Sequence, residues 1–247
     1  MKLVVGKSKL VGTVEIPGSK SHTIRAVVIA SLADGTSRIR KPLVASDTLA
    51  AFDACRLLGA EILKQDDWVV RGVGGRPRTP HNVIDVGNSG TTLYIALGTA
   101  CLVNGCTVFT GHHQTRSRPV GPLLDALNSL GAEVESTRGN GMAPIIVRGP
   151  MTGGSIKLDG SKTSQYLTSL LINCPLASGE TTIEVENLIE KPYVEMTLSW
   201  ISNQGISVEN DNFERFRIPG GQHYEPFDRS IPGDFSSATF FMCAAAI

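Results

Sequence analysis

Pro17-Gly18-Ser19-Lys20-Ser21-His22-Thr23-Ile24-Arg25 gathers the residue types that hold anions. A Pro-Gly break is followed by two serines and a lysine, and an apolar helix pattern runs from Ala26. Ser19 or Ser21 can cap that helix, whose first free N–H groups point at whatever lies in front of it. A helix N-terminus favours negative charge, and Lys20 and Arg25 place two cations near the same end. The texture recurs at Gly87-Asn88-Ser89-Gly90-Thr91-Thr92 and at Gly160-Ser161-Lys162-Thr163-Ser164-Gln165, and Arg116 and Arg118 add further charge. The chemistry indicated is the binding of phosphate or carboxylate groups. Taken singly, each stretch reads equally well as a capped surface helix. The recurrence distinguishes the two readings.

The elements that must position these residues repeat as well. The helix-opening glycines Gly18, Gly87, Gly160 and Gly233 are 69, 73 and 73 residues apart. Gly35, Gly105 and Gly179, which follow the first helices, are 70 and 74 apart, and Gly59, Gly131 and Gly205, which follow the second, are 72 and 74 apart. Three landmarks in one register mark an internal repeat. Each copy reads as strand, helix, strand, helix and two more strands. The expected spans are a helix to Ala33, strand 36–40, helix 46–58 and strands 60–63 and 68–71. The second copy gives a helix from Thr92 towards Gly105, strand 106–110, helix 119–130 and strands 132–136 and 144–148. The third gives a helix to Ala177, strand 181–186, helix 191–204 and strands 206–209 and 213–218. Two short strands, 2–5 and 11–16, precede the first. The first helices, Ala26 to Leu32, Leu93 to Val103 and Tyr166 to Ile172, are apolar on nearly every face, so helices inside and sheets outside are expected.

Lys plus Arg and Asp plus Glu each number 23, so no global field draws the chain to nucleic acid or to a membrane surface. No apolar stretch reaches membrane-span length, and no signal-peptide pattern opens the chain. The five cysteines form no CxxC and are odd in number, which indicates buried free thiols in a reducing cytoplasm. His112-His113 suggests no metal: adjacent strand residues point to opposite faces, and no carboxylate or Cys cluster joins them. A fourth helix opens at Gly233-Asp234-Phe235-Ser236 and is uncovered at Ile247, so a longer protein is expected.

Pro17-Gly18-Ser19-Lys20-Ser21 with Arg25, Gly87-Asn88-Ser89-Gly90-Thr91-Thr92, Arg116-Ser117-Arg118-Pro119, Thr163-Ser164-Gln165, Lys191-Pro192-Tyr193 and Gly233-Asp234 together resemble the 5-enolpyruvylshikimate-3-phosphate synthase family along the whole chain. The resemblance implies an α/β class fold, an inside-out α/β barrel lobe of three repeated units, with a second lobe facing it across a cleft. Residues 17–231 would form the complete lobe, and 1–16 and 232–247 would be fragments of the other, otherwise missing, C-terminal lobe. The implied activity is transfer of the enolpyruvyl group of phosphoenolpyruvate to the 5-hydroxyl of shikimate 3-phosphate, with release of phosphate and without metal or cofactor. A monomer in the cytoplasm is implied, or in a plastid for a plant protein, whose transit peptide is absent here.

By the same resemblance Lys20 and Arg118 are catalytic. Phosphoenolpyruvate is met by Lys20, Asn88, Gly90, Arg118 and Gln165. Shikimate 3-phosphate is met by Lys20, Ser21, Arg25, Thr163, Ser164, Gln165 and Tyr193. Three positions depart from the family pattern. Tyr94 stands where an arginine is common, Ile24 replaces a polar residue, and Glu190 stands where many members have a serine that helps hold the shikimate phosphate. A carboxylate there is unfavourable unless it turns away or pairs with Lys191. Two alternatives stand beside this reading. One is the sister transferase acting on UDP-N-acetylglucosamine, which typically has Lys-Asn in the first loop and a Cys in the arginine loop. The other is a ligand-binding half without activity of its own.

Overall fold

A computed structural model describes residues 4, 6 and 11–246. The first copy contains α1 (Lys20–Leu32), β1 (Thr36–Arg40), α2 (Ser46–Leu57), β2 (Glu61–Lys64) and β3 (Trp68–Arg71). The second contains β4 (Ile84–Asp85), α3 (Gly90–Ala100), β5 (Cys106–Thr110), α4 (Gly121–Ser129), β6 (Glu133–Ser136) and β7 (Ile145–Arg148). The third contains β8 (Gly154–Asp159), α5 (Gln165–Asn173), β9 (Thr181–Glu186), α6 (Lys191–Ser202), β10 (Glu209–Asp211) and β11 (Arg215–Ile218). After it come β12 (Asp228–Ser230) and α7 (Phe235–Ala246), which has no buried residue.

Three four-stranded sheets share one topology: β12-β1-β3-β2, β4-β5-β7-β6 and β8-β9-β11-β10. In each, a leading strand runs parallel to the second and the other pairings are antiparallel. The first copy takes its leading strand from the far end of the repeat, pairing Arg38 with Asp228 and Arg40 with Ser230, so the three units close into a ring. The strand expected over 11–16 does not form. That stretch is mostly exposed and pairs with no strand among the described residues, and β12 occupies the place beside β1. Apart from residue 4, the strand expected over 2–5 lies outside the described residues. The strand expected over 206–209 forms instead as β10, because its hairpin with β11 is set by left-handed backbone at Asn212 and Phe213.

The sheets present alternating residues inward, as in the exposed–buried pattern of β1, and cover the helices. α1 from Thr23, all of α3 except Thr91, and α5 from Tyr166 are buried on every side. Gly98 does not interrupt this core; it permits it. A Cβ there would fall 2.5 Å from Ser169 Oγ and 2.6 Å from Asn173 Nδ2. Those two side chains bond the Tyr94 and Ile95 carbonyls at 2.6 and 3.2 Å and so tie α3 to α5. Cys55, Cys101 and Cys174 are buried thiols, with burial pushing Cys55 and Cys174 up to about 12, whereas Cys106 and Cys243 are exposed. Among the described residues no helix is long and apolar enough to cross a membrane.

Candidate anion-binding site

The starts of α1, α3 and α5 are tied together by side chains that the repeat brings to one end. Lys20 pairs with Asp47 at 2.9 Å, and the Asp47 carbonyl accepts from Thr92 Oγ1 at 3.2 Å, which links the starts of α1, α2 and α3. α3 is capped in the usual way, Ser89 Oγ accepting from the Thr92 N–H. The other two are not. Ser19 is the N-cap of α1 and Ser164 that of α5, and neither hydroxyl accepts from its helix, which corrects the capping expected from Ser19 or Ser21. The first N–H groups of α1 therefore lack the side-chain acceptor that would ordinarily meet them, whereas at α5 the residue before the N-cap, Thr163, supplies one to the Gln165 N–H.

Arg25 is the unexpected member. Its guanidinium is 1% exposed and lies inside the lobe. Nε donates to Thr197 Oγ1 at 2.9 Å, Nη1 to the Ser21 carbonyl at 3.1 Å, and Nη2 to Thr168 Oγ1 and the Tyr193 carbonyl at 3.2 and 3.1 Å. All four acceptors are neutral, and no carboxylate among the described residues pairs with it. Burial lowers its pKa to about 10, still far above neutrality, so a full positive charge is held without a counter-ion. Ser21 and Tyr193 thus serve this cation through their backbones, while the Tyr193 side chain is exposed.

Arg118 follows a short 3-10 turn, Thr115–Ser117, and is exposed. Its guanidinium lies across Gly90, where a Cβ would fall 3.0 Å from Arg118 Cζ and still closer to Nη1. The next carbonyl, of Pro119, accepts from Tyr166 Oη at 2.7 Å and from Tyr94 Oη at 3.3 Å. Burial raises both phenol pKa values, so both keep the proton they donate. The loop itself is fastened to the start of α3. Asn88 Nδ2 donates to Gln114 Oε1 at 2.8 Å, Thr115 Oγ1 donates to Asn88 Oδ1 at 3.3 Å, and the His112 N–H bonds the Gly87 carbonyl. Replacing Gly90 by Ala is expected to displace the Arg118 side chain and raise KM for the anion it meets by about tenfold, with Tm nearly unchanged. Steady-state kinetics with thermal melts check this.

At α5, Thr163 Oγ1 accepts from the Gln165 N–H at 3.2 Å, and buried Ser164 donates to Glu190 Oε2 at 3.3 Å. Gln165 Oε1 is buried with no hydrogen-bond partner among the described residues. Such an orphan acceptor is costly unless something donates to it. Lys162 and Arg116 are exposed. His112 and His113 lie just past β5, not on it, and their rings sit 4.0 Å apart, so the opposite-face argument fails; no metal-type cluster of His, Cys, Asp and Glu occurs among the described residues.

His22, in the first turn of α1, accepts from Trp200 Nε1 through Nδ1 at 3.0 Å, and Arg229 lies over the same indole. Burial, then the nearby Arg25 charge, lower its pKa, while Asp234 opposes. The unfolded chain, titrating near 6.5, takes up a proton that the fold resists, so stability increases with pH through that range and is lost below it. Melts at pH 7.5 and 5.5 should show Tm falling on acidification, with a smaller fall in His22→Gln.

The starts of α1, α3 and α5 are therefore linked at one end, with Arg118 lying on Gly90 and Glu190 bonded to Ser164. Thr168, Thr197, Tyr166, Asp47 and Gln114 carry no mark of this in the sequence, since each acts on a group far away along the chain. The chain belongs to the EPSP synthase (3-phosphoshikimate 1-carboxyvinyltransferase) family, whose model it matches over residues 4–247. It is 56% identical over 248 residues to the 3-phosphoshikimate 1-carboxyvinyltransferase of Acetivibrio thermocellus and 52% identical to that of Ruminiclostridium cellulolyticum. All of this chain is covered in both cases, but it spans 58% of the length of either relative. The EPSP synthase structure from Acinetobacter baumannii superposes with a TM-score of 0.84 at 26% identity, covering 95% of this chain and 53% of that one.

Proposed function

We propose that this lobe binds shikimate 3-phosphate and one side of phosphoenolpyruvate, and that the protein transfers the enolpyruvyl group to the acceptor's 5-hydroxyl. The enolpyruvyl carbon exchanges its bond to the phosphate oxygen for one to the acceptor oxygen, and phosphate leaves. The observation that carries the reading is Arg25, a buried cation surrounded only by neutral acceptors. Burying an unpaired charge is unfavourable, and an anionic ligand at the start of α1 offsets it. Ser21, Thr163, Ser164 and the face of Tyr193 supply the acceptor side, and the orphaned Gln165 oxygen suits a ring hydroxyl. Lys20 and Arg118 would face phosphoenolpyruvate, with Asn88 and Gly90 holding the arginine loop in place. Lys20 must leave Asp47 to do so, a small loss for a half-exposed pair.

Residues 17–231 form the ligand-binding lobe in this proposal. The remaining phosphoenolpyruvate contacts and proton-moving groups come from sequence corresponding to the rest of the longer relatives, and a cytoplasmic setting suits the free cysteines. Calorimetry on the 247-residue chain should show saturable binding of shikimate 3-phosphate that phosphoenolpyruvate barely tightens, with no sustained phosphate release. Absence of acceptor binding, or preference for UDP-N-acetylglucosamine, would overturn the reading.

A further inference from the structure

Glu190 occupies an unusual place. It immediately precedes α6 in left-handed backbone, φ 56° and ψ 41°, a region a Glu seldom adopts. Its carboxylate accepts from Ser164 Oγ, the buried N-cap hydroxyl of α5. It does not turn to its neighbour, because Lys191 Nζ lies 5.4 Å from the centre of the Phe213 ring. A negative group thus takes the buried Ser164 hydroxyl at the start of α5, which would otherwise be available to a ligand. It also sits at the N-terminal end of that helix, an end that favours negative charge. Glu190 itself is exposed and has solvent to swing into.

We infer that Glu190 is a built-in stand-in anion, which holds Ser164 in the empty site and must withdraw before the acceptor's phosphate can take that position. The inference rests on the proposed acceptor site. Its consequence is that Glu190 weakens acceptor binding twice, by occupying the Ser164 donor and by placing a like charge beside the phosphate. It leaves the Arg118 side of the site alone, since among the described residues its only side-chain hydrogen bond goes to Ser164. Glu190 is therefore a determinant of acceptor affinity with no part in the reaction itself.

The test compares Glu190→Gln, which keeps size and removes charge, with Glu190→Asn, which adopts left-handed backbone readily and shortens the reach to Ser164. In the full-length protein both should lower KM for shikimate 3-phosphate, by about tenfold for Asn and less for Gln. KM for phosphoenolpyruvate should be unchanged and Tm held or raised. Acceptor KM unchanged or increased in both variants, with wild-type turnover intact, overturns the inference and leaves the function standing. If the wild type shows no turnover, the proposed function fails instead, and calorimetry with inorganic phosphate decides the inference. Tighter phosphate binding in Glu190→Asn than in wild type supports it, and equal binding overturns it.

Discussion

In the full-length protein, Lys20→Ala and Arg118→Ala should each lower kcat/KM for enolpyruvyl transfer by about 30- to 1000-fold while leaving the fold intact. The range corresponds to roughly 2–4 kcal/mol, the usual loss when one charge-assisted contact to a sequestered anion is removed. The structure separates this effect from misfolding. Lys20 is an exposed side chain whose ion pair with Asp47 is partly solvated and contributes little to stability. Arg118 is exposed too, and lies on Gly90 rather than in the core. Tm in both variants should therefore remain close to wild type. The two should differ in kind, because the Lys20 ammonium is a mobile point charge that changes partner on binding. The Arg118 fork is held in place through Gly90 and the Pro119 carbonyl, so Arg118→Lys should fail to restore activity. Losses of tenfold or less in both alanine variants would mean that neither meets the reacting anion.

The repeat was legible because its glycines recur in register and its inner helices are apolar on every face. Strands 36–40, 106–110 and 181–186 stand where expected because Gly35, Gly105 and Gly179 lie in the turns that lead into them, although α3 and α5 stop earlier than expected, at Ala100 and Asn173. The leading strands were not legible. β4 has two residues, and Asp228-Arg229-Ser230 of β12 has no apolar alternation at all; it is a strand only because β1 lies beside it. β8 did carry a signal, with Ile156 and Leu158 alternating inward, but it falls before Gly160, where the third copy was expected to open, and no expected strand covered it. At the site the cations were readable from residue type and spacing. What holds them was not. Thr168 and Thr197 lie 143 and 172 residues from Arg25, and Tyr166 lies 47 from the carbonyl it grips. Such partnerships are set by how the three units close, which no local window contains.

Arg25→Met is the sharper test, because binding and stability should move independently. Taking a buried cation that has no counter-ion and replacing it by an apolar side chain of similar length is often neutral or stabilising. The groups it leaves behind are provided for here. Thr168 and Thr197 hydroxyls lie 3.2 Å apart and bond each other, and Thr197 Oγ1 also donates to the Tyr193 carbonyl at 2.9 Å. Only the Ser21 carbonyl, at the half-buried first turn, must find water. Tm should stay within a few degrees of wild type or rise. Shikimate 3-phosphate affinity should fall by about 30- to 150-fold, or roughly 2–3 kcal/mol, since the charge that favours the phosphate is gone while the seat remains. Arg25→Lys should do worse for the fold than Met: it keeps the buried charge but has three donors where the arginine uses four. Calorimetric titration alongside thermal melts measures both quantities. Unchanged acceptor affinity in Arg25→Met would show that this cation only braces α1 against α5 and α6, and the anion would then have to be held by Lys20 and the helix ends alone.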